Sequence, residues 1–177
     1  MVKDIQYFPT DLLPSNGNGD LRNALGHLVQ LAAESAGATF GSFYLADYRS
    51  NVLKPYLTYG LPAEYVAACG DVGIGDQCCG RAVFHREPWV VADMLTDPLF
   101  VSAREAAMVS PIRAAFSVPV IDDAGDCLGS LGCHYCEPHT ATHEQISRNE
   151  IWASMIAHTI GEYKNGRARQ DGMARSA

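Results

Sequence analysis

Three groups of residues in this chain have the types and spacing to do chemistry. The first is Cys133-His134-Tyr135-Cys136, with His139 and His143 following. Two thiols with two residues between them and imidazoles close by are the ligand types of a zinc or redox centre. A neutral imidazole can also hold a haem iron or hydrogen-bond an enclosed molecule. The second group is the adjacent pair Cys78 and Cys79, set beside Arg81 among Gly73, Gly75 and Gly80. A cation at a thiol lowers its pKa, which would make Cys79 a nucleophile or a redox sensor. The third is a scatter of polar groups near apolar strands, Asp93, Arg113 and Ser117, suited to hydrogen-bonding or ion pairing.

Geometry decides what these groups can share, so the elements that carry them come next. The stretch 113–136, RAAFSVPVIDDAGDCLGSLGCHYC, reads as a β-hairpin turning at Asp122-Asp123-Ala124-Gly125, where glycine supplies the positive φ of the reversal. Alternation puts Ala115, Ser117 and Pro119 on one face and Phe116, Val118 and Val120 on the other. On the far strand Ser130, Gly132 and His134 oppose Leu131, Cys133 and Tyr135. One face is apolar; the other is small and polar with a histidine at its end, as expected of a sheet that covers a core on one side and lines a cavity on the other. The same alternation divides the first chemical group. Cys133 and Cys136 point to opposite faces unless the strand ends between them, and a four-ligand zinc site within eleven residues has no room for its usual loop. No metal ligand is assigned. Of the aromatic residues, Phe43, Tyr44, Tyr56, Trp89, Phe100 and Phe116 are candidates to wall the cavity.

Around the hairpin, residues 1–19 hold FPTD, LLPS and NGNG and are expected to form an irregular arm. Leu21, Leu25, Leu28, Val29, Ala32 and Ala36 recur at helical spacing, with Asp20 to cap the run and Gly37 to stop it. Residues 40–46 and 52–59 read as strands. Pro62 opens a short helix that Gly70 closes, residues 81–86 form a helical turn or two, and residues 89–92 form a buried strand. Ser102 and Glu105 have capping-box spacing for a helix reaching about Val109, as do Thr142 and Gln145 for a long final one striped by Trp152, Met155, Ile156, Ile160 and Tyr163. This order predicts an α+β fold: a central antiparallel sheet of about five or six strands, terminal helices on one face, and short helices and loops over a ligand pocket on the other.

At 177 residues and 47% hydrophobic content the chain suffices for one substantial core, organised as an arm (1–19), a domain (20–163) and a flexible basic tail (164–177). The net charge is −7; the tail carries +3, leaving −10 on the body, which does not suit a nucleic-acid backbone. No run of 18 apolar residues would span a bilayer and no export signal opens the chain, so a cytoplasmic protein with reduced thiols is expected.

The segments GSFYLAD, GLPAEY, GDQCCGRAVFHREPWVVADMLTDPLF, RAAFSVPVIDDAG and LGSLGCHYCEPHTATHEQ resemble, in order and over residues 21–163, the GAF sensory domain, the fold also found in the chromophore domain of phytochromes. The resemblance implies that a small ligand lies between the sheet and the middle helices. Within it, Cys133-His134 resembles the strand end whose histidine faces the bilin, Ser117 falls at a pocket serine, and Asp93 falls at the Asp of an Asp-Ile-Pro motif. The expected ligand-binding set is Asp93, Phe116, Ser117, His134 and Cys79. Residues 102–109 contain no cysteine, so no covalent bilin is expected, and the NKFDE motif of cyclic-nucleotide binders is absent. GIGDQCCG resembles the Gly-x-Gly-x-Cys-Gly segment of free methionine sulfoxide reductases, whose further cysteines precede the fifth strand; MVSPIRAA here has none, leaving Cys79 alone. The expected function is a non-catalytic, small-molecule-binding sensory module. It would signal through its terminal helices as a homodimer, or to a partner such as a histidine kinase, with the chain being either a stand-alone receptor or a fragment. Two alternatives stand beside it: a thiol-dependent methionine sulfoxide reductase using Cys79, and a haem- or metal-bound redox or gas sensor using His134.

Overall fold

A computed structural model describes residues 3–7, 13, 19–100, 104–108 and 110–174. In chain order the elements are β1 (Ile5–Tyr7), α1 (Gly19–Ser35), β2 (Phe40–Asp47), β3 (Val52–Tyr59), α2 (Ala63–Cys69) and β4 (Val72–Gly73). There follow α3 (Gln77–His85), β5 (Trp89–Val91), α4 (Arg104–Met108), β6 (Ala114–Ile121), β7 (Cys127–Tyr135) and α5 (His143–Ala174). The strands form one antiparallel sheet in the order β1-β3-β2-β7-β6-β5, with β4 pairing separately with β3. The predicted α+β architecture is the observed one.

Alternation along each strand sends its side chains to two different cores. Phe43, Leu45, Leu57, Phe116, Val118, Val120, Leu131 and Cys133 face α1 and α5 and form the larger apolar cluster with Leu25, Val29, Ile156 and Ile160. The opposite face carries Ala115 and Val91 against Leu61, Tyr65, Met94 and Phe100 from the middle of the chain, with Tyr44 and Val72 beside them. The end of α1 meets the start of α5: Trp152 Nε1 donates to Ser35 Oγ (2.9 Å) and Gln145 Nε2 to the Ala36 carbonyl (2.7 Å).

The local signals translate directly. In the hairpin turn Gly125 has φ 86°, and Asp122 Oδ1 accepts from the amides of Ala124 (3.0 Å) and Asp126 (2.8 Å), so one carboxylate organises the reversal. The predicted box at α5 is reciprocal: Gln145 N donates to Thr142 Oγ1 (3.2 Å) and Thr142 N to Gln145 Oε1 (2.9 Å). Thr142→Ala removes one of these bonds and is expected to cost about 1 kcal/mol in urea-unfolding free energy. An unchanged midpoint would show that α5 is held by packing alone.

Three expectations differ from the structure. The arm is not wholly irregular: Ile5–Tyr7 pairs with residues 57–59 of β3, a pairing that three residues cannot announce without their partner. The segment 164–174, expected to be a flexible tail, continues α5; it contains no proline, and extending an established helix adds one hydrogen bond per residue fixed. Finally, α3 starts at Gln77 rather than at residue 81, so both cysteines of the pair lie on a helix. The Ser102 and Val109 ends proposed for the helix at 104–108 lie outside the described residues.

Candidate functional site

A transverse row of residues forms the floor of the site. The register pairs Thr58 of β3 with Ser42 of β2, Ser42 with Gly132 of β7, and Gly132 with Ser117 of β6. Directly paired residues share a face, so three hydroxyls and one glycine cross the sheet in line beneath α2 and α3. His134 is two residues further along β7 on that same face, as the alternation requires. A Cβ placed on Gly132 would be 2.7 Å from Ser42 Oγ, 3.2 Å from His134 Nε2 and 3.3 Å from Ser117 Oγ, so glycine is what lets these three polar groups converge.

His134 is 8% exposed. Its Nε2 is 2.9 Å from Ser42 Oγ, and its ring stands edge-to-face against Tyr65 with centroids 6.0 Å apart. Nδ1 has no hydrogen-bond partner among the described residues, and neither do the buried hydroxyls of Thr58 and Ser130. A polar atom enclosed without a partner loses the full free energy of its hydration, so His134 Nδ1 is costly as it stands and any complementary group would offset that cost. Burial lowers the His134 pKa from its ordinary 6.5 to about 4, which keeps the imidazole neutral near pH 7.

These residues line a cavity of about 20 Å³, room for about one water molecule. Its floor is Ser42, Tyr44, Ala115, Ser117 and His134, and its roof is Tyr65 and Cys69 of α2 and Gln77, Cys78 and Cys79 of α3, closed laterally by Val72, Met94 and Phe100. Cys69, Gln77 and Cys79 are half-buried, and mark where the cavity comes nearest the surface. Gln77 has φ 49°, a left-handed backbone on a non-glycine residue that costs on the order of 1 kcal/mol and puts this strain at the cavity wall.

The structure brings Ser117, His134 and Cys79 together and leaves out the other two predicted ligand-binding residues. Phe116 lies on the opposite face of β6, packed in the α1–α5 core. Asp93, just past β5, is engaged by Arg113: Nη2 donates to Oδ2 at 2.8 Å and Nε to Oδ1 at 3.2 Å, and this partner is the main cause of a lowered carboxyl pKa. The same Asp93 accepts from Leu95 N (3.1 Å) while Met94 N donates to the Arg113 carbonyl (2.7 Å). Asp93 therefore holds the backbone on either side of Met94, a lining residue, without facing the cavity itself. Ser42 was missed in the sequence. Alternation in GSFYLAD separates Ser42 and Tyr44 from Phe43 and Leu45, but nothing local says that β2 pairs with β7 and brings Ser42 to His134.

Thiol chemistry finds little support in this geometry. Arg81 does not sit on the cysteines: its guanidinium stacks over the Trp89 ring at 5.5 Å and donates to the Leu99 carbonyl. Cys78 is buried with Sγ 3.3 Å from the Trp89 carbonyl, and burial raises its pKa to about 12. The sulfur of Cys79, although its residue is half-buried, is enclosed enough that desolvation, reinforced by Cys78 and Cys69, holds the thiol well above its ordinary pKa. Both are protonated at neutral pH, the poorly nucleophilic form. The group at 133–136 does not converge: Cys133 Sγ lies 3.3 Å from Asn149 Oδ1 on the helix side, Cys136 is exposed, and His139 stacks on Tyr135. Among the described residues no three His, Cys, Asp or Glu side chains are grouped to hold a metal. Haem and bilins carry propionates, and among the described residues no cation lines the cavity, so these side chains do not fit a tetrapyrrole. No helix in the described residues is long and apolar enough to cross a membrane.

Comparison with known proteins agrees with the fold. No curated protein matches the chain in sequence. Among solved structures, a domain of a two-component sensor histidine kinase protein from Sinorhizobium meliloti is similar, with TM-score 0.72 at 16% identity over 86% of this chain and 99% of that one. So is the free methionine-R-sulfoxide reductase of Neisseria meningitidis, with TM-score 0.69 at 21% identity over 85% and 83%. The GAF domain of a phosphoenolpyruvate-protein phosphotransferase from Coxiella burnetii gives 0.65 at 23% identity over 88% and 89%. The model of the GAF domain family matches residues 20–161, most of the chain and every element from α1 to the packed part of α5, and the chain belongs to that family.

Proposed function

We propose that this domain is a non-catalytic sensor that binds a small molecule between the sheet and helices α2 and α3. The single observation that carries this reading is His134 Nδ1, buried without a hydrogen-bond partner among the described residues on a side chain that lines the cavity with Ser117, Tyr44 and Tyr65. A partner for that atom is most economically a ligand. The cavity's volume of about 20 Å³ supplies the signalling step. A molecule larger than a water enters only if α2 and α3 move off the sheet, so it binds the opened conformation better, which is the condition for shifting a conformational equilibrium. Alternation in β2, β6 and β7 sets cavity-face residues next to residues packed against α1 and α5 along the same strands. The occurrence of similar domains in a sensor kinase protein and a phosphotransferase supports a signalling context.

Output would pass through α1 and α5, toward a second copy of the chain or a signalling protein such as a histidine kinase. Leu31 on α1, and Ile151 and Met155 one turn apart on α5, are exposed large apolar side chains suited to a homodimer surface.

Native mass spectrometry of the full chain purified from its own host tests the binding reading. The expected spectrum shows one noncovalent adduct that is lost in both His134→Ala and Ser117→Ala. A protein without an adduct, or an adduct kept at full occupancy by both variants, would count against the cavity as the site.

A further inference from the structure

The cavity's chemistry narrows what it can take, provided the proposed binding site is the right one. Three of its polar groups are gathered at one spot: Ser42 Oγ, Ser117 Oγ and His134 Nε2 all lie within 3.3 Å of the position a Cβ on Gly132 would occupy. The remaining walls are mainly rings and sulfur atoms, Tyr65, Phe100, Cys69, Cys78 and Met94 among them, and Gln77 adds one carboxamide. Among the described lining residues none is Asp, Glu, Lys or Arg. Residues 101–103 and 109, outside the described set, are Val101, Ser102, Ala103 and Val109 and carry no ionisable side chain. The ion pair of Asp93 with Arg113, next to the lining residue Met94, is closed on itself in a two-bond fork.

From this arrangement we infer that the ligand is a small, uncharged, planar molecule carrying a carbonyl or amide group, held at that group by His134 and Ser117 and packed on the aromatic and sulfur walls. Three physical points lead there. Moving an ion out of water into a site without a counter-charge costs several kcal/mol, more than a few hydrogen bonds to neutral donors return. A ring packs well against sulfur and aromatic edges, both of which present polarisable surface. The polar groups clustered at Gly132 satisfy one polar group on the ligand. An amide suits the imidazole in either tautomer and a carbonyl suits the one protonated at Nδ1, because Ser42 can donate to Nε2 or accept from it and so leave Nδ1 as donor or acceptor respectively. A zwitterionic amino acid such as methionine sulfoxide carries two charges that these lining side chains do not match.

A matched probe series on the isotopically labelled full chain tests the inference: benzamide, benzoate and benzamidinium share one ring and differ in charge. In ¹H–¹⁵N spectra benzamide is expected to shift the amides of Ser117, Gly132 and His134 saturably, while benzoate and benzamidinium at equal concentration leave them in place. His134→Phe keeps a ring but removes both nitrogens, and should weaken benzamide about tenfold, the effect of one buried hydrogen bond. Ser117→Ala provides the same readout should the histidine variant not fold. Benzoate or benzamidinium binding at these residues as tightly as benzamide overturns the uncharged class while leaving the cavity as a site. Failure of all three probes to move these amides overturns the cavity reading together with the inference, and benzamide binding that both variants leave unchanged overturns the assigned contacts.

Discussion

Gly80→Ala will unfold this protein at distinctly lower urea concentration, by about 3 kcal/mol. Gly80 lies in the first turn of α3, and an added Cβ would be driven into the Gly73 carbonyl oxygen and come within 3.2 Å of the Gly75 amide nitrogen. These are backbone atoms with little freedom to yield: Gly73 is paired with Val52 across β4 and β3, and Gly75 N donates to the Gly80 carbonyl at 2.9 Å. The helix must instead lift off the sheet, which breaks contacts along its buried side, Cys78, Ala82 and Val83, and overpacking of this kind costs typically 1 to 3 kcal/mol. The expected signature is local as well as global, with hydrogen exchange accelerated in α3 before the rest of the domain. Gly161→Ala is the control. It lies in α5 with nothing within 4 Å of the new Cβ, so it should stabilise by up to about 1 kcal/mol through helix propensity. Equal effects from the two substitutions would show that α3 is not docked through its backbone.

Acid will weaken the fold through His134 before it weakens it through carboxylates. The folded-state pKa of His134 is about 4, below its ordinary 6.5, because burial disfavours the imidazolium. Between these values the unfolded chain binds a proton that the native chain does not, so stability is complete above about pH 6.5 and declines as pH falls toward 4. A shift of this size corresponds to about 3 kcal/mol at the low end of the window. Asp93 and Asp47 have lowered pKa values caused chiefly by Arg113 and Lys54, so their stabilisation is present above the ordinary carboxylate value of 3.8 and is lost as pH falls below it. Glu34, lowered from its ordinary 4.5 chiefly by hydrogen bonds from Gln30 and Tyr59, follows next, so urea-unfolding free energies measured from pH 7 down to about 5.5 isolate the histidine. His134→Phe should flatten most of that slope, and a slope equal in both proteins would show that His134 is not enclosed as described.

The same residue shows what can and cannot be read before the fold is known. That His134 shares a face with Ser117 and not with Cys133 or Phe116 follows from a two-residue period, a property of each strand alone. That face assignment is correct in the structure, and it argues against using Phe116 as a cavity wall. Asp93 next to an apolar strand end was legible as a polar group near the site, but its pairing with Arg113 across twenty residues was not. Arg81 sits two residues from Cys79 in the chain, yet a helix directs the two side chains apart and the guanidinium finds Trp89 instead.

By itself, then, the sequence determined the elements and the division of the sheet into an apolar and a polar face, because helical and strand periodicities, caps and turn glycines are set by neighbouring residues. It also determined the hairpin turn and the box that starts α5. Only the tertiary structure decided which polar groups meet. Ser42 reaches His134 because β2 pairs with β7 in one register, and a slip of one residue would turn Ser42 to the other face. The thiols of α3 were desolvated more than the Arg81 charge offsets, and the cavity took its uncharged lining, through the docking of α2 and α3 on that sheet. Register and docking are set by contacts between residues distant in the chain, and no local pattern encodes them.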